Sequence, residues 1–559
     1  MKEFYEELGN RIGRIRNAKE FSKLKKKLLE KYRIRNPPSN IQILTNIDAN
    51  LHGKLNFLVT KPTRTISGVA PIAIMTKPYK CPHGRCIYCP GGVGSYFGNV
   101  PQSYTGHEPA SMRAKRNFYD PYLQVFNRLE QYALLNQNFD KVELIVMGGT
   151  FLALPFKYKK EFIMHSFKAM NDFSNMFFRK GDFDFDRFKK FFELPADVHD
   201  KERTKRLQKK IIELKQESGL EKEQLRNETS NVRCVALCME TRPDYGKLMH
   251  GNELLRFGAT RVEIGVQSVY DDVLRKVKRG HTAKDAIESF GVLKDLGFKI
   301  TAHYMPGLCE NKKKELAGMK ELFKNPDYRP DMLKIYPCMV LKGTELYSLW
   351  KRGKYKLLGM NETAELISEF KRTVPRYARI SRVQRDIPTH MTEAAVGNTN
   401  LRQVIQELLK KKDIECKCIR CRESGRAGKI GKVEIMVKKY NASKGVEYFI
   451  SAEDTENKVL VGFCRLRIPS CLLRKEISRR SAIIRELHVY SPAVEIGRAA
   501  KGNELQHTGY GKSLLKKAEG IAKQNKKTKI VVIAGVGARQ YFYKLGYRRE
   551  GPYVVKQLN

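Results

Sequence analysis

The sequence predicts an α/β protein in two parts: a parallel sheet, open or closed into a partial (β/α) barrel, and then a smaller α/β domain. Three observations carry this. Short apolar runs alternate with amphipathic helical stretches from about residue 70 to 390. A cysteine-rich joint, "ECKCIRCRESG", follows at 415–425. From about residue 431, strand-like runs follow one another directly before a glycine turn and a helix. A chain of 559 residues is too long for one core, so two to four domains are expected.

Residues 1 to about 35 place basic residues at helical spacing, as in "KLKKKLLEKYRIR". Leu24, Leu28, Leu29 and Ile34 mark an apolar face, so one amphipathic helix with a cationic face is expected. Lys23, Lys25, Lys26 and Lys27 are candidates for contacts to a nucleic-acid phosphate backbone; a solvated surface helix is the alternative. "RNPPSN" (35–40) breaks the helix, and residues 1–70 read as a basic N-terminal segment. Within 71–390, "KVELIVMGGTF" (141–151), "RCVALCMETRPD" (233–244), "RVEIGVQSV" (261–269), "KITAHYMPGL" (299–308) and "MLKIYPCMV" (332–340) read as buried strands. Helices at 247–257, 282–296 and 313–324 separate most of them. Repeated β-α units imply a parallel sheet, with chemistry at the C-terminal strand ends. A Phe-, Lys- and Glu-rich stretch at about 158–230 reads as a helical insertion without assigned chemistry. Residues 391–430 read as a linker. Within 431–559, "KVEIMVKKY", "VEYFISAED", "VLVGFCRLRI" and "AIIRELHVY" read as antiparallel strands, followed by the glycine turn, a helix, a strand and an aromatic stretch.

The formal net charge is +46, from 106 Lys+Arg against 60 Asp+Glu. Such an excess repels itself unless a polyanion neutralises it, which points to nucleic acid. No run of about 18 apolar residues exists, so no membrane span is expected. The charged N-terminus does not read as a secretion signal, and a cytoplasmic place is expected. Thiols stay reduced there, and clustered cysteines more often mean metal than disulfide.

"CPHGRCIYCPGG" (81–92) crowds Cys81, Cys86 and Cys89 into one loop. A structural zinc site takes four protein ligands, and a zinc knuckle completed by His83 is the alternative. A 4Fe-4S cube has four irons, so three thiolates leave one iron open to an external ligand. Gly148 and Gly149 of "MGGTF" let backbone approach a ligand closely. Gln506, Gly509 and Gly511 of "LQHTGYGKSLL" precede a helix, where free N–H groups can receive a diphosphate.

The cysteine loop resembles that of radical S-adenosylmethionine (SAM) enzymes, with one residue added. "MGGTF" resembles that family's SAM-contacting strand end, which implies SAM contacts at Gly148, Gly149 and Thr150. The strand–turn–helix–strand order with "RQYFYKLGY" resembles GNAT acetyltransferases. Both in one chain resemble the catalytic third subunit of Elongator and its single-chain archaeal and bacterial counterparts. "PQSYTGHEPASMRA", "ETRPDY", "RGHT", "LKIYPCMVLKGTELYSLWKRGKY" and "RVQRDIP" match over nearly the whole chain. The resemblance implies a tRNA carboxymethyluridine synthase. Acetyl-CoA and a SAM-derived 5′-deoxyadenosyl radical would place a carboxymethyl group on carbon 5 of the wobble uridine. It implies a 4Fe-4S cluster on Cys81, Cys86 and Cys89, catalytic roles for Lys141 and Tyr541, and an electron-donor protein. Acetyl-CoA contacts are implied at Lys141, Glu486, Leu487, His488, Val489, Gln506, Gly509, Tyr510, Gly511, Lys512 and Tyr541. Phe542 stands where many members carry a second tyrosine. Arg382 and Arg385 are further tRNA candidates, with structural ion pairs as the alternative. Cys416, Cys418 and Cys421 read as a zinc staple, with His390 one candidate for the fourth ligand. A protein lysine acetyltransferase and a non-catalytic tRNA-binding scaffold are the rival functions. Homodimerisation is left open.

Overall fold

A computed structural model describes residues 1–15, 17–47, 68–196, 200–394, 400–426, 430–490 and 509–559. Seven parallel strands form the first sheet: β1 (Ala70–Met75), β2 (Lys141–Met147), β3 (Arg233–Thr241), β4 (Arg261–Gln267), β5 (Lys299–Tyr304), β6 (Met332–Ile335) and β7 (Arg379–Arg382). They pair in chain order, and β1 does not pair with β7, so the sheet curls into a half-barrel. The sequence reading named five of these strands. It missed β1, whose run is interrupted by Pro71, and β7, whose four residues are half arginine. Along β2, Val142, Leu144 and Val146 are fully buried under the outer helices. Lys141, Glu143, Ile145 and Met147 alternate onto the other face, toward the lumen.

The insertion between β2 and β3 is helical, with helices Phe156–Phe177, Phe185–Phe191, Lys201–Glu213 and Leu220–Asn227. Its phenylalanines explain it: Phe173, Phe177, Phe188 and Phe192 are fully buried and extend the barrel's own core. The expected single N-terminal helix is instead two, Lys2–Ile12 and Ala18–Lys31, with a third at Asn40–Asn46. Asn17 caps the second by accepting from the Lys19 and Glu20 N–H groups. Phe4, Leu8, Ile12, Phe21, Leu28 and Ile43 close a separate small core. Lys23, Lys26 and Lys27 are exposed, whereas Lys25 is half-buried and donates to the Pro38 carbonyl at 2.6 Å.

The second sheet comprises β8 (Val433–Ala442), β9 (Gly445–Asp454), β10 (Val459–Ile468), β11 (Ser481–Val489), β12 (Lys529–Val532), β13 (Arg548–Glu550) and β14 (Tyr553–Gln557). Their order is β8-β9-β10-β11-β12-β14-β13, and only β11 and β12 pair in parallel. That pairing covers Ser481–Ile484 and stops, so the rest of β11 splays away from β12.

A buried charged layer joins the two sheets. Arg485 donates to both Asp331 carboxylate oxygens at 2.8 and 2.7 Å and to Glu447 at 2.9 Å. Arg467 bonds Asp295 at 2.7 Å and Glu447 at 3.0 Å. Lys294 lies beneath this layer and donates to the Tyr328 and Arg329 carbonyls at 3.1 and 2.7 Å. Burial pushes its ammonium down to about 7, against the opposing pull of Asp331. Between that value and about 10.4 the unfolded chain binds a proton that the folded chain does not, so stability rises with pH there. Relative to Lys294→Met, the wild type should gain up to about 1.4 kcal/mol per pH unit across this window. Denaturant titrations of both proteins at pH 7 and 9 measure it; equal slopes would refute it.

Candidate active site

The Cys81–Cys89 loop lies over the C-terminal ends of the strands. Two backbone bonds seat it: Ile87 N–H to Val277 O at 3.2 Å and Leu346 N–H to Ile87 O at 2.8 Å. Gly91 must be glycine, since a Cβ would come 2.3 Å from the Pro101 carbonyl oxygen. Beneath the loop is a cavity of about 370 Å³ lined by all three cysteines, with Glu240, Glu263 and His303 lower down. Arg279, buried, reaches Cys86 Sγ at 3.7 Å and donates to Gly265 O at 2.9 Å. Arg242, fixed by Asp244 at 2.9 Å and Gly280 O at 3.0 Å, adds a second cation near Cys81. Burial raises the Cys81 thiol above its usual range, and the two cations oppose that rise, favouring the thiolate that ligates metal.

The three thiols suit a multi-iron cluster better than one zinc ion. Cys81 Sγ lies 3.0 Å from His83 Nδ1, and Cys86 Sγ lies 3.2 Å from His83 Nε2. The two sulfurs therefore flank an imidazole ring, wider apart than one tetrahedral ion with bonds of about 2.3 Å permits. Among the described residues, donor atoms gather within 4.8 Å only at Cys416, Cys418 and Cys421 and at Glu240, Glu263 and His303. The first of these groups has single-ion spacing, with Cys418 and Cys421 sulfurs 3.6 Å apart and Lys371 Nζ 3.9 Å from Cys421. His390 is not part of it.

Gly149 and Thr150 line the thiol cavity. Gly148 does not; its φ is +126°, and a Cβ there would meet Thr76 Oγ1 at 2.3 Å, so its role is steric. Arg382 and Arg385 also line this cavity and have partners, Asp386 and the Ser103 carbonyl. Arg382 thus has an ion-pair partner and Arg385 a backbone one, and the Arg382 side chain remains partly exposed.

At the N-terminal ends of the barrel strands is a second cavity of about 740 Å³, lined by Glu486, Leu487, His488 and Val489 where β11 leaves β12. Burial opposes the charge of Glu486, but Lys299 at 2.6 Å and Arg465 at 2.9 Å hold it down to about 2. Burial pushes His488 down to about 4, so its ring is neutral at pH 7. The ring lies 4.3 Å from Tyr490, centroid to centroid, and its Nε2 has no partner. Gly509 caps the helix Tyr510–Gln524 with φ +92°, a left-handed turn that suits glycine. Tyr510, Gly511 and Lys512 form its first turn, where amide groups have no intrahelical acceptor. A Cβ on Gly511 would lie 3.0 Å from the Tyr541 hydroxyl and 3.9 Å from Val489, so turn, tyrosine and splayed strand converge. Phe542 lines the cavity and Tyr541 does not. Lys141 opens β2 outside both cavities, and burial lowers its pKa. Gln506 lies outside the described residues. Arg242, Arg279, Glu263 and His303 escaped the sequence reading; a glutamate inside the apolar run "RVEIGVQ" was the available signal.

The chain matches the radical SAM superfamily over residues 76–323, the radical SAM C-terminal domain over 330–411 and the GNAT acetyltransferase family over 426–547. It is 39% identical to Elongator complex protein 3 of Saccharomyces cerevisiae, covering 95% of this chain and 91% of that protein. It is 42% identical to the tRNA uridine(34) acetyltransferase of Methanocaldococcus infernus, covering 98% of this chain and 96% of that protein. The chain belongs to the Elongator complex protein 3 family. A solved structure of the archaeal M. infernus Elp3, lacking its residues 1–46, superposes with a TM-score of 0.71 at 38% identity. It covers 88% of this chain and 100% of its own. Elongator protein 3 relatives thus share both halves of this molecule, and membership makes it an enzyme of the radical SAM and acetyltransferase classes. Both classes imply a 4Fe-4S cluster, SAM and acetyl-CoA. No helix among the described residues is long and apolar enough to cross a membrane.

Proposed function

We propose that this chain places a carboxymethyl group on carbon 5 of the wobble uridine of tRNA, taking the two carbons from acetyl-CoA. The observation that carries this reading is the pairing of a three-thiol cavity with an acetyltransferase cleft in a chain whose relatives are named tRNA uridine(34) acetyltransferases. Cys81, Cys86 and Cys89 would hold three irons of the cluster, and Gly149 and Thr150 would meet SAM. With SAM bound, the cluster supplies a radical strong enough to take hydrogen from an acetyl methyl group. The chain's own residues bind and orient. Arg242 and Arg279 balance the thiolates, and the first turn of Tyr510–Gln524 receives the coenzyme diphosphate. Neutral His488 offers a hydrogen bond toward the thioester, with Tyr541 and Lys141 in supporting roles. The +46 charge suits tRNA, with exposed Lys23, Lys26 and Lys27 among its contacts. A tRNA substrate suits a cytoplasmic place, and an electron-donor protein is required. The division into 1–70, 71–390, 391–430 and 431–559 belongs to the same reading, as does zinc on Cys416, Cys418 and Cys421.

The test is anaerobic incubation of iron-reconstituted protein with SAM, a reductant, acetyl-CoA and unmodified tRNA, followed by nucleoside mass spectrometry. A carboxymethyl mass gain on uridine is expected. Hydrolysis of acetyl-CoA with unmodified tRNA would overturn the radical step. Metal analysis should find one zinc per chain that Cys418→Ser loses; zinc unaffected by that change would refute the staple.

A further inference from the structure

The half-barrel has a cavity at each end. The upper holds the three thiols. The lower lies between the strand starts and the acetyltransferase cleft. Glu263, Arg382 and Asp386 line both, so one layer of side chains separates the cavities. A parallel barrel ordinarily fills its interior with layers of branched aliphatic residues. Here the lumen carries a string of charges. Arg261 Nη2 lies 3.1 Å from Glu143 and 3.3 Å from Glu263, and His303 Nε2 lies 3.0 Å from Glu263. Lys334 also bonds Glu263, whose side chain is fully buried. Buried ion pairs seldom stabilise a fold more than an apolar packing of equal volume would, so this string calls for a functional explanation. Buried polar atoms lack partners at both ends: Gln267 Oε1 above, His488 Nε2 and Ser381 Oγ below.

We propose that the lumen is the passage through which the acetyl thioester end of coenzyme A, seated in the splay between β11 and β12, reaches the hydrogen-abstracting site in the upper cavity. This rests on the proposed function. The splay opens on the lower cavity at Leu487 and Ala534, on the barrel side. Along the route Arg261, Lys334 and Arg382 offer donors to the thioester carbonyl, each exchanging a carboxylate partner for it. No bond forms or breaks in passing.

Acetyl-CoA deuterated in its methyl group reads the passage directly. In the wild type, a methyl deuterium should end in 5′-deoxyadenosine, seen as a gain of one mass unit. Ser381→Trp and Ala236→Phe add bulk at the lower mouth from β7 and β3, remote from the thiols. Both variants should still release coenzyme A and cleave SAM, while deuterium in 5′-deoxyadenosine falls at least tenfold and carboxymethyluridine falls with it. Wild-type deuterium transfer in either folded variant would overturn the passage: the thioester would then arrive from the solvent side of the upper cavity. A thermal melt identifies a misfolded variant, and the other then decides. A wild-type protein that cleaves SAM with neither deuterium gain nor modified tRNA would overturn the proposed function, and the passage with it.

Discussion

Replacing Cys86 with alanine will abolish 5′-deoxyadenosine formation from SAM, by a thousandfold or more, or about 4 kcal/mol in the barrier. Cys86 is the buried member of the triad, 4% exposed, with Arg279 against its sulfur. Removing it leaves two thiols for a cluster that needs three protein ligands, and leaves Arg279 without the charge it faces. Coenzyme binding should be unchanged, because the cleft at β11 is formed by the other sheet. The control is Cys309→Ala. Cys309 belongs to the same hydrophobic cluster as Cys86 but does not line the cavity. Iron content, the visible absorbance of the cluster and chromatography of 5′-deoxyadenosine should all fall for Cys86→Ala and stay at wild-type level for Cys309→Ala. A Cys86→Ala protein that keeps four irons and cleaves SAM would refute the ligand assignment.

Asp331→Asn should destabilise the protein by about 3–5 kcal/mol, the usual cost of leaving one partner of a buried ion pair uncompensated. Asp331 and Arg485 are both almost fully enclosed. The carboxylate takes both arms of the Arg485 guanidinium and also the Ile300 N–H at 2.9 Å. An amide can still accept there but cannot balance the cation. Burial alone would raise the Asp331 pKa; Arg485 and Arg465 overcome it and hold the carboxyl well below its usual range. A depressed carboxyl pKa contributes stability that is complete above about pH 4 and is lost as pH falls below it. The wild type should therefore begin to lose its advantage over Asp331→Asn on acidification from pH 5 to 3, by about 1 kcal/mol, the remainder going only at still lower pH. Denaturant unfolding at both values tests this, and a variant as stable as wild type at pH 7 would refute it. Because the pair joins β11 to the turn before β6, loosened packing of the two sheets should also lower carboxymethyluridine formation more than SAM cleavage.

Several features were legible in the sequence because local spacing determines them. Cys81, Cys86 and Cys89 share one cavity because a short loop with Gly84 and Gly91 cannot spread them further. The buried strands read correctly wherever apolar runs were long, and failed at β1 and β7, where Pro71 and the arginines of "RISR" mask the period. The N-terminal helix was read as one because its cationic pattern runs through Gly13 and Asn17, and pattern alone does not register a cap.

The residue types of the site were set by the sequence alone: three thiols in one loop, glycines where backbone closely approaches its neighbours, and a glycine-capped helix beside the splayed strand. Closure of the sheet decided the rest. Glu263 meets His303 across 40 residues of chain and Lys334 across 71, and Arg485 meets Asp331 across 154. In a strand buried on both faces, periodicity cannot say which side a glutamate takes. That choice is made when neighbouring strands bring a lysine and a histidine to the same side, since a buried carboxylate is tolerated only beside the cations that balance it.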